Sequence, residues 1–413
     1  MRAQTERIVK RIEILGNISD DNDCLSRFYG TKAHKNAGKK ISKWMKKAGM
    51  QTSKDIVGNI NGVLKSKNPK AKHFMIGSHY DTVFNAGKYD GPLGIILGIE
   101  IAHIFNEQNI DLPFHLHVSA FADEEGCRFN IAYLGSSLIA GNFNKGWLSK
   151  IDDYGYSLER LIEKNKGSIA TLNKNTIPTK DWLGYLEPHI EQGPVLCDED
   201  VSVCLVSGIA AQNRINISWK GISGHAGTYP MGLRNDALCA ASEFILAIEA
   251  LGNTHKEKLV ATVGKIKSKP NISNVIPGLV THSLDIRSSD NSFLQEMTKQ
   301  LYDKASEIAK ERKVEIEWEL MQSNPAVTCN KDLKEILGKS IENQTKKLIE
   351  IPSGAGHDAV MISKVAPVSM MFIRCKDGIS HNPLEYVSSE DIEESVKVMY
   401  NFMNELAKKH KYE

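Results

Sequence analysis

Apolar residues recur along the chain with two periods, one strand-like and one helical. Residues 3–14 and 33–48 carry apolar positions at helical spacing among Lys and Ala, and predict helices. His73 to Ser78 reads as a short strand ending in a loop. Pro92 to Phe105 predicts a helix packed through Ile95, Ile96, Ile99 and Ile101. Phe114 to Phe121 (FHLHVSAF) alternates and predicts a strand, and Ala132 to Ala140 predicts a helix. Strands alternating with helices indicate an α/β class with a partly parallel sheet.

The pattern changes from about residue 209 to 325. Strand Ala211–Lys220, helix Asn235–Leu251, strands Leu259–Lys267 and Val280–Ser288, helix Ser292–Glu311 and strand Val314–Leu320 follow in order. This is the split βαβ order of a ferredoxin-like α+β unit. The first pattern then resumes, with helix 331–345, strand 347–351, helix 355–363, strand 366–374 and helix 389–408. The expected organisation is a larger mixed-sheet domain with helices on both faces (1–208 and 326–413) and a smaller one (209–325) inserted into it.

Charge changes this picture little. Lys+Arg number 52 and Asp+Glu 50, so no basic excess points to nucleic acid or a membrane surface. The pairs Lys39-Lys40, Lys46-Lys47 and Lys408-Lys409 read as solvated helix faces. Seven cysteines are scattered with no CxxC, which argues against a disulfide framework or a structural zinc site and for a reducing compartment. The N-terminus has no apolar signal core, and no run of about 18 apolar residues is present. A cytoplasmic location without a membrane span is expected.

Candidate chemistry lies mostly beside strands. His79 follows a strand, Asp81 lies two residues on, and Asp90 sits in a glycine-flanked loop before a helix. A histidine backed by a carboxylate, with a second carboxylate nearby, is what a first-row metal needs. Taken singly, a core histidine and a helix-capping aspartate explain these residues as well. Glu124 and Glu125 follow an apolar strand; neighbours on extended chain point opposite ways, so one can bind metal while the other moves protons. A helix N-terminal acidic pair is the alternative. His189 and His381 are candidate imidazole ligands, each alone also readable as a loop histidine.

The blocks GSHYDTV…GKYDG, FADEEGCRF, LEPHIEQGP, GHAGTYPMGLRNDA, NVIPG…LDIR, SGAGHDA and GISHNPLEY occur in this order from residue 77 to 386. Together they resemble the M20 amidohydrolase and peptidase clan, and within it the N-carbamoyl-L-amino acid hydrolase and allantoate amidohydrolase branch. The resemblance implies two divalent metals (Zn, Mn, Co or Ni), one held by His79, Asp90 and His189, the other by Asp90, Glu125 and His381. It implies Glu124 as general base, Asp81 behind His79, and His225 as oxyanion stabiliser. Gln192, His225, Asn274 and Arg287 match the substrate-binding set. A salt bridge to Asp285 or Asp290 is the competing reading of Arg287. Ser353 to Asp358 is expected to be a loop entering a helix, whose N–H groups at Gly354 and Ala355 can bind substrate. The implied fold is a catalytic domain with an inserted lid that also makes a homodimer contact, so that His225 and Asn274 serve the neighbouring subunit.

Ala86, Cys127, Pro188 and Tyr229 depart from the commonest pattern of the branch, and none is an expected ligand. Cys127 is expected to be a buried, inert thiol. The expected reaction is hydrolysis of a carbamoyl (ureido) C–N bond of allantoate or an N-carbamoyl-L-amino acid, with release of ammonia. N-carbamoyl-β-alanine, ureidoglycolate and peptides are the alternative substrates. A catalytically silent scaffold is disfavoured because every expected position is filled.

Overall fold

A computed structural model describes residues 2–165, 168–169 and 179–411. The chain divides into two compact units, one of Met1–Ser207, Thr328–Ser353 and His357–Glu413, the other of Gly208–Val327 and Gly354–Gly356.

The first unit is built on a nine-stranded mixed sheet. Its order is Gln51–Lys54, Ile60–Leu64, His115–Phe121, His73–His79, Trp182–Ile190, Val368–Ile373, Val203–Ile209, Val327–Thr328, with Glu350–Ser353 also paired to Val203–Ile209. The four central strands, His115–Phe121, His73–His79, Trp182–Ile190 and Val368–Ile373, are mutually parallel. The flanking strands run antiparallel. Parallel central strands leave their carboxyl ends on one edge, where open α/β sheets place ligands.

Helix Pro92–Glu107 is apolar on every side and almost wholly buried. Its one buried charge, Glu100, is neutralised by helix Arg2–Gly16: Arg7 Nη2 approaches to 2.6 Å and Arg11 Nη1 to 3.3 Å. An unpaired carboxylate there would be costly.

Four strands of four or more residues escaped the period-two pattern. Gln51–Lys54 (QTSK) is a polar edge strand with no apolar alternation. Ile60–Leu64 carries a glycine at its centre. Trp182–Ile190 and the start of Val203–Ile209 are buried on both faces, so alternation is lost. Pro188 lies in the middle of that central strand yet breaks no ladder bond. Tyr185 and Glu191 donate N–H bonds to the Val368–Ile373 side. By two-residue alternation position 188 faces the other side, where pairing ends at Leu186. The strand expected at 347–351 lies at Glu350–Ser353, and the helix expected at 355–363 is only Ala359–Ile362. Gly354 to Asp358 is loop leading into that helix, so the N–H groups of Gly354 and Ala355 belong to the loop.

The second unit is a five-stranded antiparallel sheet in the order Ile266–Lys269, Leu279–Ser288, Ala211–Lys220, Glu315–Asn324, with Val260–Thr262 also paired to Leu279–Ser288. This is the strand order of a ferredoxin-like fold. The single strand expected at 259–267 is two short pieces, broken between residues 262 and 266. Helices Ala237–Thr254 and Asn291–Arg312 pack on the sheet through Phe244, Ile248, Leu294, Leu301 and Ile308, around Trp219. Helix Ala237–Thr254 is long and apolar enough, by length and composition, to cross a membrane, a feature absent from the sequence expectation. In this unit only the stripe of Ala237, Ala240, Ala241, Phe244 and Ile248 is buried against the sheet, the pattern of a surface helix.

Candidate metal centre

Each element of the centre comes from the carboxyl end of a central strand. His79 closes its strand, Glu124 and Glu125 follow the next, His189 nearly ends the third, and His381 lies in the loop after the fourth. Asp90 stands just before helix Pro92–Glu107. Gly91 beside it has φ 81°, and a Cβ there would meet the His79 ring at 2.6 Å, so only glycine allows the ring this close.

Asp90 is the hub. Its Oδ1 lies 3.5 Å from His79 Nε2 and 3.2 Å from His189 Nε2. Its Oδ2 lies 3.1 Å from His381 Nε2, which in turn is 3.4 Å from Glu125 Oε1. Potential ligand atoms of His79, Asp90 and His189, and separately of Asp90, Glu125 and His381, lie within 4.8 Å of one another. A third group joins His79, Glu124 and Glu125. These nitrogen and carboxylate donors suit a first-row divalent cation.

The donors are oriented from behind. His189 Nδ1 lies 3.0 Å from the Ile190 carbonyl and His79 Nδ1 lies 3.3 Å from the Asp81 carbonyl. Both contacts turn Nε2 toward Asp90. The Asp81 carboxylate accepts the N–H groups of Glu124 (3.1 Å) and Glu125 (3.2 Å), so it fixes the glutamate pair as well as backing His79. Buried Arg27 donates to the carbonyls of Tyr80, Leu15 and Ile18 and anchors the same turn. Asp123, Gln192 and His381 all adopt positive φ (60°, 59° and 52°), a strained conformation that clusters at functional sites.

Burial lowers the His79 pKa, but Asp81 and Asp90 outweigh it and the ring is held well above the usual range. His381 is pushed up to about 11 by Asp90 and Glu125. Glu124 is raised by burial, then by the charges of Glu125, Asp358 and Asp81. A carboxylate raised in this way can both take and return a proton. Because protons and a cation compete for the same imidazole and carboxylate atoms, metal affinity should fall as pH drops. Chelator competition at mildly acid and mildly alkaline pH checks this; equal affinity at both would contradict it.

Two residues without an assigned role complete the hub. Glu385 is buried, accepts the N–H groups of Tyr89 (2.7 Å) and Asp90 (3.1 Å), and accepts from Ser380 Oγ at 2.9 Å. Ser380 Oγ also lies 3.1 Å from Asp90 Oδ2. The signal was present in the GISHNPLE block, where Ser380 precedes His381 and Glu385 follows four residues later. Replacing Glu385 with Ala strips two buried N–H groups of their acceptor and should cost about 2–4 kcal/mol of stability. It should weaken metal binding roughly 10–100-fold, while Glu385→Gln, which keeps the accepting oxygen, should restore most of both. Unfolding curves and metal titration of the two variants decide it.

Gln192 Nε2 donates to Asp90 Oδ2 at 2.9 Å and to Ser380 Oγ at 3.2 Å. Its amide is thus tied to the carboxylate hub as well as being a candidate for substrate. Cys127 is exposed, not buried as expected. Desolvation and then the carboxylates Glu125 and Asp81 push its thiol up, which keeps it protonated and a poor nucleophile.

His225, Asn274 and Arg287 belong to the second unit. His225 and Asn274 come together on a two-stranded ribbon in which Val275 pairs with His225 and the Asn274 carbonyl accepts from Ala226 N. His225 Nδ1 accepts the N–H groups of Gly227 (3.1 Å) and Thr228 (3.2 Å). The neutral ring therefore carries its proton on Nε2 and presents a donor. Arg287 makes the expected alternative pairing. Its Nε and Nη2 grip Asp285 at 2.8 and 2.9 Å, and Nη1 donates to the Gly354 carbonyl at 2.7 Å.

Residues 75–405 match the model of peptidase family M20/M25/M40. The chain is 36% identical to allantoate deiminase 2 of Glycine max, over 97% of this chain and 89% of that one. It is 35% identical to the N-carbamoyl-L-amino-acid amidohydrolase of Pseudomonas sp. (strain NS671), over 96% of each. Among solved structures it is similar to AtUAH in complex with glyoxylate, with a TM-score of 0.88 at 29% identity over 98% of this chain and 97% of that one.

Proposed function

The chain belongs to peptidase family M20/M25/M40 and is a hydrolase of C–N amide bonds, and from that premise we propose that it cleaves the carbamoyl (ureido) C–N bond of allantoate or an N-carbamoyl-L-amino acid. The observation that carries this reading is the Asp90 hub, with three imidazoles and Glu125 around it and the buried Glu124 beside it. The family is metal-dependent, and His79, Asp90 and His189, with Asp90, Glu125 and His381, are the residues that would hold two divalent cations. Such cations, when bound, polarise a carbonyl and lower the pKa of a water.

The chain's own groups then divide the work. Glu124 takes the proton of the attacking water and returns it to the leaving nitrogen, so that ammonia departs. His225 Nε2–H donates to the developing oxyanion. Arg287, held on edge by Asp285, pairs with the substrate carboxylate. Gln192 and Asn274 bind the ureido amide, and the N–H groups of Gly354 and Ala355 line its other end. Residues 209–325 act as a lid and homodimer contact, with His225 and Asn274 serving the neighbouring subunit.

The test is ammonia release by purified protein with and without added Mn or Zn, on allantoate, several N-carbamoyl-L-amino acids, N-carbamoyl-β-alanine, ureidoglycolate and an N-acetyl amino acid. Metal-dependent release from a ureido substrate is expected, and the fastest one names the substrate. No ammonia from any of them, with metal bound, would overturn the proposal.

A further inference from the structure

A second cavity, of about 630 Å³, lies in the first unit. It shares no residue with the groups around Asp90. Helix Lys32–Lys47 supplies Lys35, Lys39, Lys43 and Lys46 to its wall, and Lys54 and Lys164 converge from other elements. Among the described residues no acidic side chain lines it. Lysines four apart on a helix repel and weaken it, so Lys35, Lys39 and Lys43 are a poor arrangement for folding alone. Among the described residues none of the six pairs with a carboxylate. Burial, then the charges of Lys54, Lys164, Arg128 and Lys39, pull the Lys35 ammonium down from its ordinary range.

The other wall is apolar and aromatic, with Val57, Ile60, Tyr80, Tyr29 and His34. Tyr29 and His34 are 1% and 2% exposed, so this wall is rigid and closed to water. Burial lowers the His34 ring to about 3, which leaves it an uncharged partner.

We propose that this cavity binds a small organic phosphate of nucleotide size, its phosphate groups among the lysines and its uncharged body against Val57, Ile60 and Tyr80. The volume lies within the roughly 300–1,000 Å³ of small-molecule sites. Six ammonium groups exceed what one carboxylate neutralises, and lysine is a common point-charge partner of phosphate.

The test is calorimetric titration of the metal-loaded full chain with inorganic phosphate, AMP and ATP, at low and high salt. AMP and ATP should bind more tightly than inorganic phosphate, and more weakly as salt rises. Lys39→Ala/Lys43→Ala should weaken them at least about tenfold, the loss expected for charge-assisted contacts. Its melting temperature should not fall, because repulsion is removed. The control pair Lys47→Ala/Lys65→Ala lies outside the cavity and should bind as the parent does. Three outcomes would each overturn the proposal. They are no binding of any probe, binding that both pairs weaken equally or neither weakens, and inorganic phosphate binding as tightly as AMP.

Discussion

Glu124→Gln should lower kcat by about 10²–10⁴-fold, the usual worth of a positioned general acid–base, while leaving metal binding intact. Glutamine is isosteric and keeps the side chain's place beside His79 and Glu125, but it cannot take a proton. Its backbone N–H still bonds to Asp81, so the glutamate pair should keep its position. Burial and three nearby carboxylates already disfavour charge at this position, so the neutral amide should not cost stability. The measurement is kcat on the best ureido substrate alongside the rise in melting temperature on adding Mn or Zn. Unchanged kcat would remove Glu124 from the proton path. A lost melting-temperature rise would instead make it a metal ligand.

Asp90→Ala should do the opposite and lose both. Among the described residues Asp90 is the only carboxylate that meets His79, His189 and His381 together, and it belongs to two of the three candidate cation groups. Its removal should abolish the melting-temperature rise that a ligand bound to the native state produces. If the cations supply several kcal/mol of transition-state stabilisation, kcat/KM should fall by at least roughly 10⁴-fold. A variant that still gains stability from Mn or Zn as the parent does would show that Asp90 does not join the two groups.

Much of this protein is written in local signals. The strand at His73–His79, the helix at Pro92–Glu107 and the strand-helix order of residues 209–325 follow from period two, period 3.6 and turn residues. The strands that escaped are those in which burial is uniform or absent, Trp182–Ile190 at one extreme and Gln51–Lys54 at the other. Alternation then carries no information. The candidate ligands that gather around Asp90 were legible through their blocks, because a block names a residue type and its place at a strand end.

Several partners of those residues were not settled by the sequence. Arg287 could be read as a substrate clamp or as the partner of Asp285, and only the fold shows its fork on Asp285 with Nη1 on Gly354. Gln192 reads as a substrate amide in sequence, yet its nitrogen holds Asp90 across 102 positions of chain. Glu385 reaches the N–H of Tyr89 across 296 positions. Lys39 and Lys46 read as solvated helix residues and are exposed, yet with Lys35, Lys43, Lys54 and Lys164 they border one cavity.

The sequence by itself thus determined the element types, the α/β class with its inserted ferredoxin-like unit, and which side chains are candidates for chemistry. Periodicity and turn preference act over a few residues, and ordered blocks preserve residue identity. Only the tertiary structure decided that Gln192, Ser380 and Glu385 also converge on Asp90, which polar groups are already spent on one another, and where unpaired charge gathers. Those depend on distances between residues far apart in the chain, set by the carboxyl ends of four adjacent parallel strands, and no local pattern encodes them.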